Sequence, residues 1–428
     1  MNRLIYTLLI YLLVPLALLK LLWRAVRQPE YLRHIPERFG FYASPLTPHA
    51  SPIIWLHCVS VGETRAAAPL VALLRQHYPG HTILLTHTTP TGRATSEQLY
   101  GDSVLRCYLP YDLPGAVSRF LRHFQPRLGL LMETELWFNL IEACHEQGIP
   151  LLLVNARLSE KSARGYAKLG QLASTGLGRL AAIAAQTEAD AARLRQLGAA
   201  NVSVMGNLKF DVTPPPKAWE QGAALRQLFG AGRPVFLAAS TRDGEEALVL
   251  DAIQAASVPG LLTVIVPRHP QRFDAVAALL EKRGMAYVRR SENLVAGADC
   301  QVVLGDSMGE MFAYYAACDL AFIGGSLLPL GGQNLIEACA MGKPVLIGPH
   351  TFNFQQAAEQ AVLCGAALRV EDVEGLAAAL RRLLADAPQR QAMGAAGLAF
   401  STANCGAATR ALRLVEEVVA QAPSPATY

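Results

Sequence analysis

The chain has little charge and few aromatic residues. Of its 428 residues only 17% are Asp, Glu, Lys or Arg, 7% are aromatic, and the formal net charge is +4. So weak and dispersed a balance excludes the concentrated basic footprint of a nucleic-acid-binding surface. The eight cysteines are scattered, mostly inside apolar runs, with no C-x-x-C pair. That pattern disfavours a structural zinc site and suits buried thiols in a reducing compartment. Neither G-x-G-x-x-G nor G-x-x-x-x-G-K-[ST] stands where a strand would pass into a helix, which argues against a dinucleotide oxidoreductase and a P-loop nucleotidase. A D-x-D metal motif, a sustained heptad pattern and a solenoid-length repeat are absent as well.

What is present begins with one long apolar run. Leu4 to Trp23 is broken only by Tyr6, Thr7, Tyr11 and Lys20, with Pro15 near its middle. A spanning helix needs about 20 mostly apolar residues, and Lys20 can snorkel, so a signal anchor and an interfacial helix both fit. No Ala-x-Ala cleavage site follows, and a retained anchor over residues 1–27 is expected. Arg24, Arg27 and Arg33 outnumber Arg3 on the other flank, which favours a cytoplasmic body.

The remaining length suits two domains. From Ile53 to Met205, β-type runs alternate with helical patterns: Ile83–Thr86, Leu128–Met132, Leu151–Val154, Ala181–Ala185 and Val202–Met205. Pro214-Pro215-Pro216 then interrupts, and the alternation resumes with Val235–Ala239, Leu262–Val266, Val302–Leu304, Leu320–Ile323 and Val345–Ile347. The expectation is an α/β chain of two facing doubly wound domains, 28–213 and 214–428, with the binding crevice between them. The Ala/Leu-rich helices after Val370 are expected to pack on the second domain and to reach back toward the first.

Chemistry-bearing residues gather where predicted strands end. The run Ile53-Ile54-Trp55-Leu56 empties into His57-Cys58-Val59-Ser60-Val61-Gly62-Glu63, making Glu63 a candidate base, although an acidic residue in a first helical turn also complements the helix dipole. Glu133 and Glu135 follow the strand Leu128–Met132, where an ion pair would serve equally well. Asn155, Arg157 and Ser159 follow the next strand. There a Ser cap beside a surface Arg is the plainer reading, and a phosphate fork the sharper one. Lys209 lies in Gly206-Asn207-Leu208-Lys209-Phe210-Asp211, just before the prolines. In the second half Pro267 and Arg268 end a strand in a basic loop. Met308, Gly309 and Glu310 open a helix, and Gly324-Gly325-Ser326 and Gly331-Gly332 lead into Gln333-Asn334-Leu335-Ile336-Glu337. Tight connections need glycine in any case, so each turn alone says little. Together they describe a nucleotide-binding half paired with a carboxylate-bearing half.

Ten ordered segments carry a resemblance: RFGFY (Arg38 to Tyr42), HCVSVGET, LPYDLP, METELW, NARLS, GNLKFD, PRHP, GDSMGEM, GGQNLIEA and GPHTFNF. The chain resembles the 3-deoxy-D-manno-octulosonic acid (Kdo) transferases of lipopolysaccharide biosynthesis from its amino-terminal anchor to about residue 360. The resemblance implies an inverting GT-B enzyme that moves Kdo from CMP-Kdo to a lipid A precursor, lipid IVA, at the cytoplasmic face of the inner membrane, with no metal or other cofactor. It implies that Glu63 is the general base and that Glu133 and Lys209 stabilise the transition state. Pro267, Arg268, Met308, Gly309, Glu310, Asn334, Leu335, Ile336 and Glu337 then fall in CMP-binding segments. Gln333 is a departure, standing where many relatives are expected to carry His. Two alternatives stay open: a membrane-associated GT-B enzyme using another sugar nucleotide such as a UDP-sugar, and a non-catalytic membrane-tethered protein binding nucleotide or lipid.

Overall fold

A computed structural model of the chain describes residues 1–43 and 51–421. Residues 44–50, inside the predicted 28–213 domain, and 422–428, at the predicted end of the second, lie outside the described residues. The chain forms two compact units. One holds Met1–Asp211 together with the stretch from Cys405 onward, and the other Val212–Asn404.

The first unit is built on a parallel sheet of β1 (Ile53–His57), β2 (Thr82–His87), β3 (Leu105–Tyr108), β4 (Pro126–Met132), β5 (Leu151–Ala156), β6 (Ala182–Ala185) and β7 (Val202–Val204). The order is β3-β2-β1-β4-β5-β6-β7. Its central strands are largely apolar because both of their faces are buried. Successive residues of β1 serve opposite cores: Ile53 and Trp55 join Phe120 and Leu131 on one face, and Ile54 and Leu56 join Leu70, Leu74 and Leu130 on the other. Period-two geometry makes this division unavoidable.

The second unit repeats the scheme with β8 (Val235–Thr241), β9 (Leu262–Pro267), β10 (Tyr287–Arg289), β11 (Val302–Leu304), β12 (Leu320–Ile323), β13 (Val345–Ile347) and β14 (Ala367–Arg369). They pair in parallel in the order β10-β11-β9-β8-β12-β13-β14. Phe236, Ile265, Leu304 and Phe322 pack there against Val249 and Leu250 of the helix Glu245–Ala256 and Leu376 and Leu380 of the helix Val373–Ala385.

The expected 214–428 domain needs correction at its end. The last described helix, Ala407–Gln421, belongs to the first unit, where Ala411, Leu412, Val415 and Val418 complete the core around Leu70 and Leu74. The expected reach back toward the first domain is met by this helix, while the domain boundary drawn at the chain's end is not. Asp211 fixes the return: its carboxylate accepts the amides of Gly406, Ala407 (3.0 Å) and Ala408, three of the donors a helix start leaves unpaired. Asp211→Ala is expected to cost about 2 kcal/mol, the upper end for losing a cap. Amide exchange in peptides from 407–421 should quicken by about 30-fold, while unchanged protection would deny the cap this role.

Candidate active site

All seven strands of each sheet run parallel, so their following loops share one edge, the edge at which ligands bind in open α/β sheets. In the first unit β1, β4 and β5 are neighbours there, and each delivers a polar group.

After β1 the chain turns at Cys58–Ser60 into the short helix Val61–Ala66, which Ser60 caps. Glu63 folds back over this turn. Its Oε2 accepts the Val59 amide at 2.8 Å and its Oε1 the Ser60 hydroxyl at 2.9 Å, while Ser60 Oγ accepts the Glu63 amide at 3.4 Å. The reciprocal pattern is a variant of the capping box, so Glu63 serves the helix start through both of its oxygens. Burial raises Glu63 to about 7. The Val59 amide opposes the rise, the charge of Glu133 adds to it, the Ser60 hydroxyl lowers it again, and Glu135 contributes a further push upward. A carboxylate titrating there can exchange a proton near neutral pH. A side chain built on Gly62 would meet nothing closer than Ser60 Oγ at 3.8 Å, so the turn is uncrowded at that position.

The histidines flanking this turn are held neutral by burial. His57 is fully buried with Nδ1 2.9 Å from Thr86 Oγ1, and burial with the charge of His87 pushes it down to about 3. His87 reaches Cys58 O and Ser96 Oγ, and burial pushes it down to about 4. Both therefore stay neutral and hold β1, β2 and the Glu63 turn in register.

Glu133 begins the loop after β4 in the left-handed region, φ +59°, with its amide on Val154 O at 3.0 Å. That conformation costs a non-glycine residue about 1–2 kcal/mol, and it bends the chain so that Glu133 and Glu135 both act electrostatically on Glu63. Glu135 is itself raised, mainly by burial, with the Trp137 side chain lowering it and Glu133 raising it further. Arg157 and Ser159 follow the plainer expectation, Arg157 being exposed and Ser159 capping the helix Glu160–Ala167. Asn155 does more. Fully buried at φ +54°, it accepts the Leu208 amide at 3.0 Å on Oδ1 and the Gln186 amide group at 3.0 Å on its carbonyl. Asn207 donates to Gln186 and accepts the Lys209 amide at 3.0 Å. The end of β5 thereby positions the turn Leu208–Phe210 that carries Lys209, linking two sequence motifs that are about 50 residues apart.

In the second unit Pro267 closes β9, and Arg268 donates its amide to Thr241 O at 2.9 Å and its Nε to Gln333 Oε1 at 3.1 Å. Gln333 thus orients a guanidinium, a role that needs no titration. Met308 is exposed and Gly309 takes φ +82°. Glu310 is engaged by Arg290 at 2.8 Å and by Ser307, so it shapes its loop. Asn334 accepts the Ile336 amide at 3.1 Å and donates to Glu337 Oε1 at 3.1 Å. Leu335 and Ile336 are core residues, 1% and 0% exposed, leaving their backbone alone available to a ligand.

The glycines of this region admit protein as well as any ligand. A side chain on Gly324 would strike Ser240 O at 2.5 Å, and one on Gly331 would strike Asn353 Nδ2. Beneath them lies a residue that sequence reasoning missed. Glu245, fully buried at the start of its helix, accepts the amides of Arg242 (3.0 Å), Leu327 (3.0 Å) and Gly325. Burial raises it while these amides and that of Ser326 oppose the shift. The signal was available, because Gly244-Glu245 follows β8 as Gly62-Glu63 follows β1. In one unit the carboxylate pins a neighbouring loop; in the other it binds only its own turn, at Val59 and Ser60.

Comparison with known proteins identifies the family. Residues 33–212 match the family model described as 3-deoxy-D-manno-octulosonic-acid transferase, and residues 284–399 that of glycosyl transferases group 1. The chain is 47% identical to a 3-deoxy-D-manno-octulosonic acid transferase of Bordetella pertussis, covering 97% of this chain and 99% of the relative. It is 39% identical to the enzyme so named from Haemophilus influenzae, covering 97% and 98%. A solved glycosyltransferase from Rickettsia africae, 14% identical, matches in fold with a TM-score of 0.57 over 87% of this chain and 100% of that one. The two doubly wound parallel sheets are thus of the GT-B type. With near-full-length identity of this order, the chain belongs to the 3-deoxy-D-manno-octulosonic acid transferase family and is a glycosyltransferase.

Proposed function

We propose that the chain transfers Kdo from CMP-Kdo to a sugar hydroxyl of lipid IVA, with inversion, at the cytoplasmic face of the inner membrane during lipopolysaccharide biosynthesis. The observation that carries this reading is Glu63, a carboxylate folded back over the turn after β1, at the ligand-binding edge of its sheet, and raised to about 7. Glu63 takes the proton of the acceptor hydroxyl as its oxygen attacks the anomeric carbon of Kdo. The bond from that carbon to the CMP phosphate oxygen breaks, and its electron pair leaves with the phosphate. Glu133 opposes the positive charge that develops on the sugar, and Arg268, oriented by Gln333, opposes the negative charge on the phosphate. Lys209 holds the Kdo carboxylate or a phosphate. One phosphate leaves rather than two, so the reading calls for no bridging metal or other cofactor.

The donor is tested by calorimetry. CMP is expected to bind in competition with CMP-Kdo, and Arg268→Ala to weaken it by about 10- to 100-fold, the equivalent of one charge-assisted hydrogen bond. UDP binding more tightly than CMP at the same site would favour the alternative of a UDP-sugar enzyme.

A further inference from the structure

The helix Arg3–Ala25 is long enough to cross a bilayer, at about 1.5 Å per residue over its 23 residues. Its contacts describe a different placement. Arg3 pairs with Glu142 at 3.0 Å, Tyr6 donates its hydroxyl to Asp112 at 2.7 Å, and Thr7 donates to Asn139 at 2.9 Å. The Tyr6 ring meets Phe138 edge-on at 5.3 Å. Asp112 is buried and also accepts the amides of Asn139 (3.0 Å) and Leu140 (2.8 Å), so Tyr6 joins a network internal to the first unit. These partners surround the helix Phe138–Glu146, and they hold the amino-terminal end of the apolar helix against the globular body.

Beyond that end the helix is mostly exposed, with Leu21 and Ala25 its buried residues, yet its exposure is uneven around the axis. Tyr6, Ile10, Val14, Ala17, Leu21 and Ala25 recur at three- and four-residue spacing and are all half-buried or buried. On the opposite side Leu4, Leu8, Leu12, Leu16, Leu19 and Trp23 recur at the same spacing and are 56–72% exposed. A spanning helix meets hydrocarbon all round and would carry Arg3, Tyr6 and Thr7 to the far side of the membrane from Glu142, Asp112 and Asn139. Exposed Arg24 and Arg27 follow Trp23, with Arg27 Cζ 5.9 Å from its ring, a grouping suited to the head-group level.

We propose that Arg3–Ala25 lies in the plane of the membrane, one face docked on its own domain and its leucine face sunk in the acyl chains of a single leaflet, and does not cross the bilayer. The inference rests on the membrane setting proposed above. It places the body on the leaflet from which a lipid acceptor is drawn, and it gives the helix a positioning role beyond tethering.

The test uses the full chain, with exposed Cys364 and Cys405 replaced by Ser, added from dilute detergent to preformed phosphatidylethanolamine/phosphatidylglycerol vesicles so that the body stays outside. Asn2→Cys is expected to react with a membrane-impermeant maleimide before the vesicles are opened. Reaction only after detergent is added would overturn the in-plane placement. The double variant Thr7→Cys/Asn139→Cys gives a second readout, with a disulfide expected under mild oxidation while vesicle-bound. A disulfide that forms only in lipid-free protein would equally overturn it. Failure of the protein to float with vesicles would instead overturn the membrane setting itself.

Discussion

Glu63→Gln is expected to lower kcat by about 100- to 10,000-fold, the range for losing a positioned general base, while leaving CMP affinity within about twofold, because a base that acts on the acceptor contributes little to donor binding. The substitution keeps the volume and one acceptor oxygen at the Val59 amide and Ser60 hydroxyl, so the capped turn has the means to survive it. What disappears is the proton acceptor. In the native chain that acceptor must be ionised to work, and burial with the neighbouring charges of Glu133 and Glu135 holds it at about 7. The rate at low substrate should therefore rise with pH, about tenfold per unit below 7, and level off above it. Glu135→Gln removes one of the charges raising Glu63, so the rising limb should move to lower pH. A profile flat from about pH 5 to 9 in the native enzyme, or a Gln variant of near-native kcat, would remove Glu63 from the role of base.

Glu245→Ala is expected to destabilise the second unit strongly. It strands the amides of Arg242, Gly325 and Leu327 around a fully buried site, and each buried donor left unpaired costs about 1–3 kcal/mol. A total of about 3–6 kcal/mol is a large share of a domain's usual margin. The effect should reach the ligand as well. Gly325 and Leu327 flank the loop that returns through Gly332 and Gln333 to the carbonyls of Gly325 and Gly324, and Gln333 orients Arg268. Thermal unfolding followed in the full chain, together with CMP calorimetry, checks both parts. An unchanged melting profile with native CMP affinity would show that the buried carboxylate neither stabilises nor organises this loop.

Much of this fold is legible in the sequence because central parallel strands are continuously apolar. Val302–Leu304, Leu320–Ile323 and Val345–Ile347 can be read to the residue, and most others fall within a residue or two of the observed ends. The strands that escaped, Leu105–Tyr108, Tyr287–Arg289 and Ala367–Arg369, have a common physical cause. Each is three or four residues long, carries an arginine and lies at a sheet edge, where only one neighbour is paired and a charge is tolerated. The point at which the chain returns to the first unit was illegible for another reason: it hangs on Asp211, whose Ala407 partner is 196 residues away.

The site divides in the same way. Glu63 is legible because a strand, a tight turn and a helix start leave its position little freedom. Its shifted proton affinity is not, since that depends first on burial by the folded unit and then on the charge of Glu133 arriving from another strand. Asn155 reads as a ligand-facing residue and proves to be the clamp on the Lys209 turn. The segment from Asn334 to Glu337 reads as a unit, yet its two apolar side chains belong to the core. Family pattern identifies such segments, but only packing separates the side chains available to a ligand from those that hold the loop in place.

The most direct measurement is mass spectrometry of lipid IVA after incubation with the detergent-solubilised chain and CMP-Kdo, run beside the Glu63→Gln variant. The account predicts one or more added Kdo masses with the native chain and their near-complete loss with the variant. No added mass from protein that binds CMP, or an undiminished product from the Gln variant, would contradict it.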